Sequence, residues 1–110
     1  LPGLNFFDAT AILQEELSGD INVLERLLVD RPDVKLMLMA HTDGPKTPEL
    51  LVRLGEQRAE AVRQALLRRG IRGSRIRTVS YGNAYRLRPC TNCGPADFAV
   101  NNRLEARIIN

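Results

Sequence analysis

The sequence predicts an α/β fold: a two-layer sandwich in which two main helices pack on one face of a small mixed β-sheet, in the order β-α-β-α-β-loop-β. Three observations carry this. Short apolar runs alternate with two longer segments whose apolar residues recur every three or four positions. Turn and breaker residues separate them, "RPD" at 31–33, "DGPK" at 43–46 and Gly70. Strands and helices alternating at this length stack as helices on a sheet, and 110 residues suffice for one core and not for two.

Leu4 to Phe7 suits an opening strand, with Asp8 as a turn or cap residue. Ser18 or Asp20 can cap a first helix in which Ile21, Leu24, Leu27 and Leu28 recur at helical spacing until Arg31-Pro32 stops it. "VKLMLMA", Val34 to Ala40, is continuous enough to read as a central strand covered on both faces. Thr47, Pro48 and Glu49 favour a second helix start, and that helix runs to Gly70. Two further strands fit Ile76 to Ser80 and Leu104 to Ile109, joined by a long loop.

The composition, 44% hydrophobic and 26% charged with no apolar run near the roughly 18 residues of a membrane-spanning helix, reads as a soluble globular module. The first residue is Leu and no basic stretch leads an apolar segment, so no signal peptide is read here. Residues 1–110 are expected to be one domain cut from a larger, membrane-anchored protein. Basic residues crowd between Arg63 and Arg77, but without aromatics for base stacking they read as a solvated helix face and loop. Nucleic acid is not an expected partner.

Cys90 and Cys93 form a C-x-x-C in "RPCTNCGP". That spacing suits a redox pair or half a zinc site. Zinc needs four ligands and the only His is distant in sequence, so no metal is expected. A thioredoxin-like motif opens a helix after a strand, whereas Pro89, Gly94 and Pro95 make this segment read as a loop. A local disulfide stapling that loop is favoured, and it implies an oxidising compartment.

The chemistry concentrates where the central strand ends in "MAHTDG", Met39 to Gly44. On the second helix Leu51, Leu54, Ala61, Val62, Ala65 and Leu66 define an apolar stripe. Arg58 lies on that stripe, where an unpaired charge is costly, and Asp43 is its nearest candidate anion by topology. The two either neutralise each other as a partly buried ion pair or together hold a zwitterion, the carboxylate taking an ammonium and the guanidinium a carboxylate. Catalysis fits poorly. His41 has no nucleophile at a recognisable elbow and no paired acid, so it reads as a hydrogen-bonded structural residue. No cofactor is expected.

"MAHTDG", "LGEQRAEAV" at 54–62, "RIRTVSYGN" at 75–83 and "NNRLEARI" at 101–108 occur in one order. In this they resemble the peptidoglycan-binding domain of the OmpA/MotB C-terminal family, and the resemblance runs from Phe6 to the end of the chain. Its pattern is Gly-His-Thr-Asp at a strand end, Leu-Ser-x-x-Arg-Ala-x-x-Val on a helix, a strand leading into Gly-Tyr-Gly, and Asn-Arg-Arg-Val-Glu on the last strand. The resemblance implies that Asp43 and Arg58 hold the diaminopimelate residue of the peptidoglycan stem peptide, with help from Thr42, Asn101 and Arg103. It also agrees with a disulfide between Cys90 and Cys93, since several family members carry two cysteines in that loop.

The departures are Ala40 for Gly, Leu51 for an Asn eight residues after the Asp, Gly55 for Ser, and Asn102 for the first Arg of the terminal motif. The reading that follows is a non-catalytic module tethering an outer-membrane or otherwise membrane-anchored protein to the wall in a Gram-negative periplasm. Any membrane contact is made through a segment outside this chain. The alternative is a related interaction module with lost or altered wall binding, for which Leu51 is the warning. A barrel, a lipoprotein and a flagellar-motor stator stay open as anchors, and so does a homodimer.

Overall fold

The computed structural model describes residues 18–109. The strand expected at Leu4 to Phe7 lies outside them. Helix α1, Ser18–Asp30, buries Ile21, Leu24 and Leu28 and leaves Asn22, Val23 and Arg26 exposed. Of the two alternative caps, Ser18 is the first described residue of the helix and Asp20 lies inside it. Its last turn closes through the Arg31 N–H on Leu27 O at 3.0 Å, and Pro32, lacking an N–H, cannot continue it.

Strand β1, Lys35–His41, follows. Its pleat sends Leu36, Leu38 and Ala40 into the core with residues of α1 and of the second helix. Met37 and Met39 face the other way and are only half-buried, so the expected burial on both faces is corrected. The continuous apolar run misled because composition does not show how far each face is covered: on this face Met37 lies in register with Arg77 and Arg107, and Met39 with Val79 and Glu105.

Helix α2, Pro48–Arg68, begins at an extended Thr47 whose hydroxyl accepts the Leu50 N–H at 3.3 Å, with Pro48 and Glu49 in the first turn. Its buried face is Leu51, Leu54, Gly55, Ala59, Val62, Ala65 and Leu66. Ala59 takes the place expected of Ala61, and Arg58 sits half-buried at the edge of the stripe. Gly55 is required by close approach. A Cβ there would stand 3.0 Å from the Ser80 Cβ and 3.3 Å from the Ala40 Cβ, so the helix rests on the sheet where both surfaces are small.

A 3-10 turn, Gly73–Arg75, leads into β2, Ile76–Ser80, parallel to β1. Helix α3, Pro95–Asn101, then precedes β3, Arg103–Ile109, which pairs antiparallel with β1. The sheet order is β2-β1-β3, mixed as expected. Helix α3 corrects the reading of 81–103 as one long loop. Pro95 at its first turn and the Asp97 carboxylate on the Gly94 N–H at 2.9 Å are helix-start signals, hidden by the density of Pro and Gly around them.

Gly82 holds a positive φ of 57° just past β2, and its carbonyl accepts the Thr42 N–H at 3.0 Å. A Cβ at this position would lie 2.9 Å from Val52 Cγ2. Glycine therefore lets the turn after β2 press against both the end of β1 and the first turns of α2. The end of the central strand is enclosed by this corner.

Candidate ligand site at the end of the central strand

Three consecutive residues leave β1 buried: His41, Thr42 and Asp43. Thr42 is 1% exposed, and its hydroxyl donates to the Leu51 carbonyl at 2.5 Å. In this structure it braces the strand end against α2.

The Asp43 side chain is wholly enclosed, yet its carboxylate is fully satisfied. Oδ1 accepts the Gly44 N–H at 2.9 Å and Arg86 Nη2 at 3.0 Å; Oδ2 accepts Arg86 Nε at 3.0 Å and Asn101 Nδ2 at 2.9 Å. Burial pushes the carboxyl up, but the bonds from Arg86, Asn101 and Gly44, with the Arg86 charge, outweigh it and hold the group below its usual range. It is a carboxylate at neutral pH.

Asn101, 1% exposed at the end of α3, is fixed in turn by Arg88, whose N–H it accepts at 2.8 Å and whose carbonyl receives its amide at 3.1 Å. Next to it, Asn102 bonds both ways with the Asp43 backbone: Oδ1 accepts the Asp43 N–H at 2.9 Å, and Nδ2 donates to the Asp43 carbonyl at 3.0 Å. The same Oδ1 accepts Arg58 Nη1 at 3.2 Å. Asn102 therefore brings Asp43 and Arg58 to one corner from elements far apart in sequence.

Arg103 faces a neighbouring group. Its guanidinium bonds Glu105 Oε1 at 2.8 Å, the Asn101 carbonyl at 3.3 Å and the Tyr85 carbonyl at 3.0 Å, so it ties β3 to the loop after β2. His41 stacks on Tyr81 with ring centroids 5.4 Å apart and stands 3.4 Å from Glu105 through Nε2, but among the described residues neither ring nitrogen makes a hydrogen bond, so the hydrogen-bonded role expected of it is corrected. Burial, with Arg103 nearby, depresses its pKa against the opposing pull of Glu105. A neutral imidazole there is a packing group.

Of the residues singled out from sequence, Asp43, Arg58, Thr42 and Asn101 thus converge, and Arg103 supports the loop beside them. Two others were missed. Arg86, the bidentate partner of Asp43, lies in a segment without periodicity, and no local signal points to it. Asn102 registered only as a departure from Asn-Arg-Arg, although an amide placed between a backbone and a guanidinium can serve both.

Cys90 and Cys93 are joined as a disulfide, with Cα atoms 5.3 Å apart. Asp97 lies close enough to complete a three-ligand cluster with the two sulfurs, but the thiolates that a metal requires are consumed by the bond.

The model of the OmpA family matches residues 5–103. The chain belongs to the OmpA family. It is 33% identical over 110 residues to a peptidoglycan-associated lipoprotein of Brucella melitensis, covering 96% of this chain and 61% of that protein. It is 32% identical over 104 residues to outer membrane porin F of Pseudomonas aeruginosa, covering 93% of this chain and 29% of the porin. The chain therefore spans 61% of the length of the lipoprotein and 29% of that of the porin. Among solved structures, the peptidoglycan-associated lipoprotein of Burkholderia pseudomallei superposes with a TM-score of 0.84 at 25% identity, over 96% of this chain and 87% of that one. The C-terminal domain of Helicobacter pylori MotB, at 18% identity, superposes with a TM-score of 0.82 over 100% of this chain and 86% of that one, and it shares the fold.

Within this OmpA-family domain, two of the departures from the family pattern touch each other. Ala40 adds a methyl group on the strand opposite the point where Gly55 lacks one on the helix, so helix and sheet keep their contact. Leu51 has no exposed surface. Its carbonyl accepts the Thr42 hydroxyl.

Proposed function

We propose that this domain binds peptidoglycan without catalysis, holding the diaminopimelate of an uncrosslinked stem peptide between Asp43 and Arg58, and so tethers a membrane-anchored protein to the wall in a Gram-negative periplasm. The observation that carries the reading is the shared Asn102 amide, which joins the Asp43 backbone and the Arg58 guanidinium at one oxygen. A carboxylate and a planar multi-donor cation then meet at one strand end, the two charges that an amino acid head needs. Membership of the OmpA family and likeness to proteins named for their association with peptidoglycan support the choice of ligand. The disulfide suits an oxidising compartment.

The test is cosedimentation with intact sacculi. Wild type is expected to pellet with the wall, whereas Arg58→Ala stays in the supernatant with an unchanged melting transition. Arg58→Lys is expected to fail as well, because a single ammonium cannot reproduce a bidentate planar contact. Retained binding by both variants contradicts the assignment.

A second reading rests on Leu51. An apolar, fully enclosed side chain stands where the family pattern has an amide, and an interaction module without wall binding follows if wild type fails to pellet.

A further inference from the structure

We propose that Arg86 is an internal cation occupying the place on Asp43 that a ligand ammonium takes, so that stem-peptide binding is an exchange of one cation for another and Arg86 sets its affinity. This rests on the stem-peptide reading above and adds to it a residue that no motif marks.

A carboxylate offers about four acceptor positions, and in Asp43 all four are used. An ammonium cannot be added to that set; it must replace a donor. Two of the four bonds come from groups fixed by the fold, the Gly44 backbone and the amide of Asn101, which is 1% exposed and locked to the Arg88 backbone. The other two come from Arg86 alone, on a side chain that is 29% exposed and so stands at the solvent boundary. Arg86 is therefore the donor that can leave. Because the Arg88 backbone stays bonded to Asn101, the guanidinium can swing into water while the chain carrying it remains in place.

The exchange conserves charge at Asp43, since one monovalent cation departs as another arrives. Its cost is the loss of two parallel charge-assisted bonds, among the stronger polar contacts a protein makes. Removing the incumbent removes that cost. Calorimetric titration with a tripeptide ending in meso-diaminopimelate, on wild type, Arg86→Lys and Arg86→Gln, reads this directly. Affinity is expected to rise in the order Arg, Lys, Gln, by about tenfold from wild type to Arg86→Gln, because Lys restores the charge without the bidentate geometry and Gln restores neither.

Loss of the partner leaves Asp43 buried beside a neutral group. If Arg86→Gln does not fold, the comparison of Arg86→Lys with wild type carries the test, with a severalfold gain expected. Equal or weaker binding by the folded variants, with wild type binding, overturns the exchange and leaves the stem-peptide reading standing. No binding by any of the chains overturns both.

Discussion

His41 is the only histidine in the chain, so the pH range in which an imidazole titrates belongs to it alone. Burial holds its folded pKa below the ordinary 6.5, with Arg103 acting in the same direction. Between the two values the unfolded chain carries a proton that the folded one does not, so stability is complete above about pH 6.5 and declines as the pH falls below it. His41→Leu is expected to abolish that decline. Thermal melts between pH 7.5 and pH 5 check it: a falling transition for wild type against a flat one for the variant. Asp43 and Glu105, both depressed, act lower. Their contribution is present above the ordinary carboxylate pKa and is lost as pH falls through their folded values, so it survives in His41→Leu. At this scale the sequence makes Arg58 legible because it breaks an apolar stripe, and Asp43 because topology places it nearest to that charge. Arg86 breaks none, and only the fold brings it to a carboxylate 43 positions earlier.

The contact of α2 with the sheet is a matter of fitted small residues. Gly in a helix interior costs about 1 kcal/mol relative to Ala, and Gly55 accepts this because any side chain there meets Ser80 and the Ala40 methyl. Gly55→Ser, which restores the family's residue on the helix alone, is expected to destabilise the domain by about 1–3 kcal/mol through overpacking. Adding Ala40→Gly, the family's residue on the strand, should recover part of that loss, and a denaturant double-mutant cycle measures the coupling. Additive effects would mean that the two positions are independent. Both helices that frame the sheet are legible from periodicity and from the cap at Thr47, whereas α3, at seven residues, is too short to show a period. The strand β1 was placed correctly but misread in burial, because Met37 and Met39 are apolar in composition and only half-covered in space.

Across the whole molecule, the strand end, the turn at Gly82, the loop carrying Arg86 and the helix-to-strand junction at Asn101 and Asn102 close on one carboxylate. The four sequence blocks, in their order, pointed to the OmpA family, to which the chain belongs. What the blocks did not contain is the state of the carboxylate, which depends on packing between segments that no motif connects. The account asks Asp43 to receive an ammonium and Arg58 a carboxylate from one amino acid head. Lysine in place of diaminopimelate keeps the ammonium and lacks the carboxylate, leaving Arg58 without its ligand partner. A hydrogen bond to a charged group is worth roughly 1.5–3 kcal/mol, which corresponds to at least about tenfold in affinity. Calorimetric titration of wild type with the two stem peptides measures this. The account predicts that the diaminopimelate peptide binds at least about tenfold more tightly than the lysine peptide, and equal affinity for the two would contradict it.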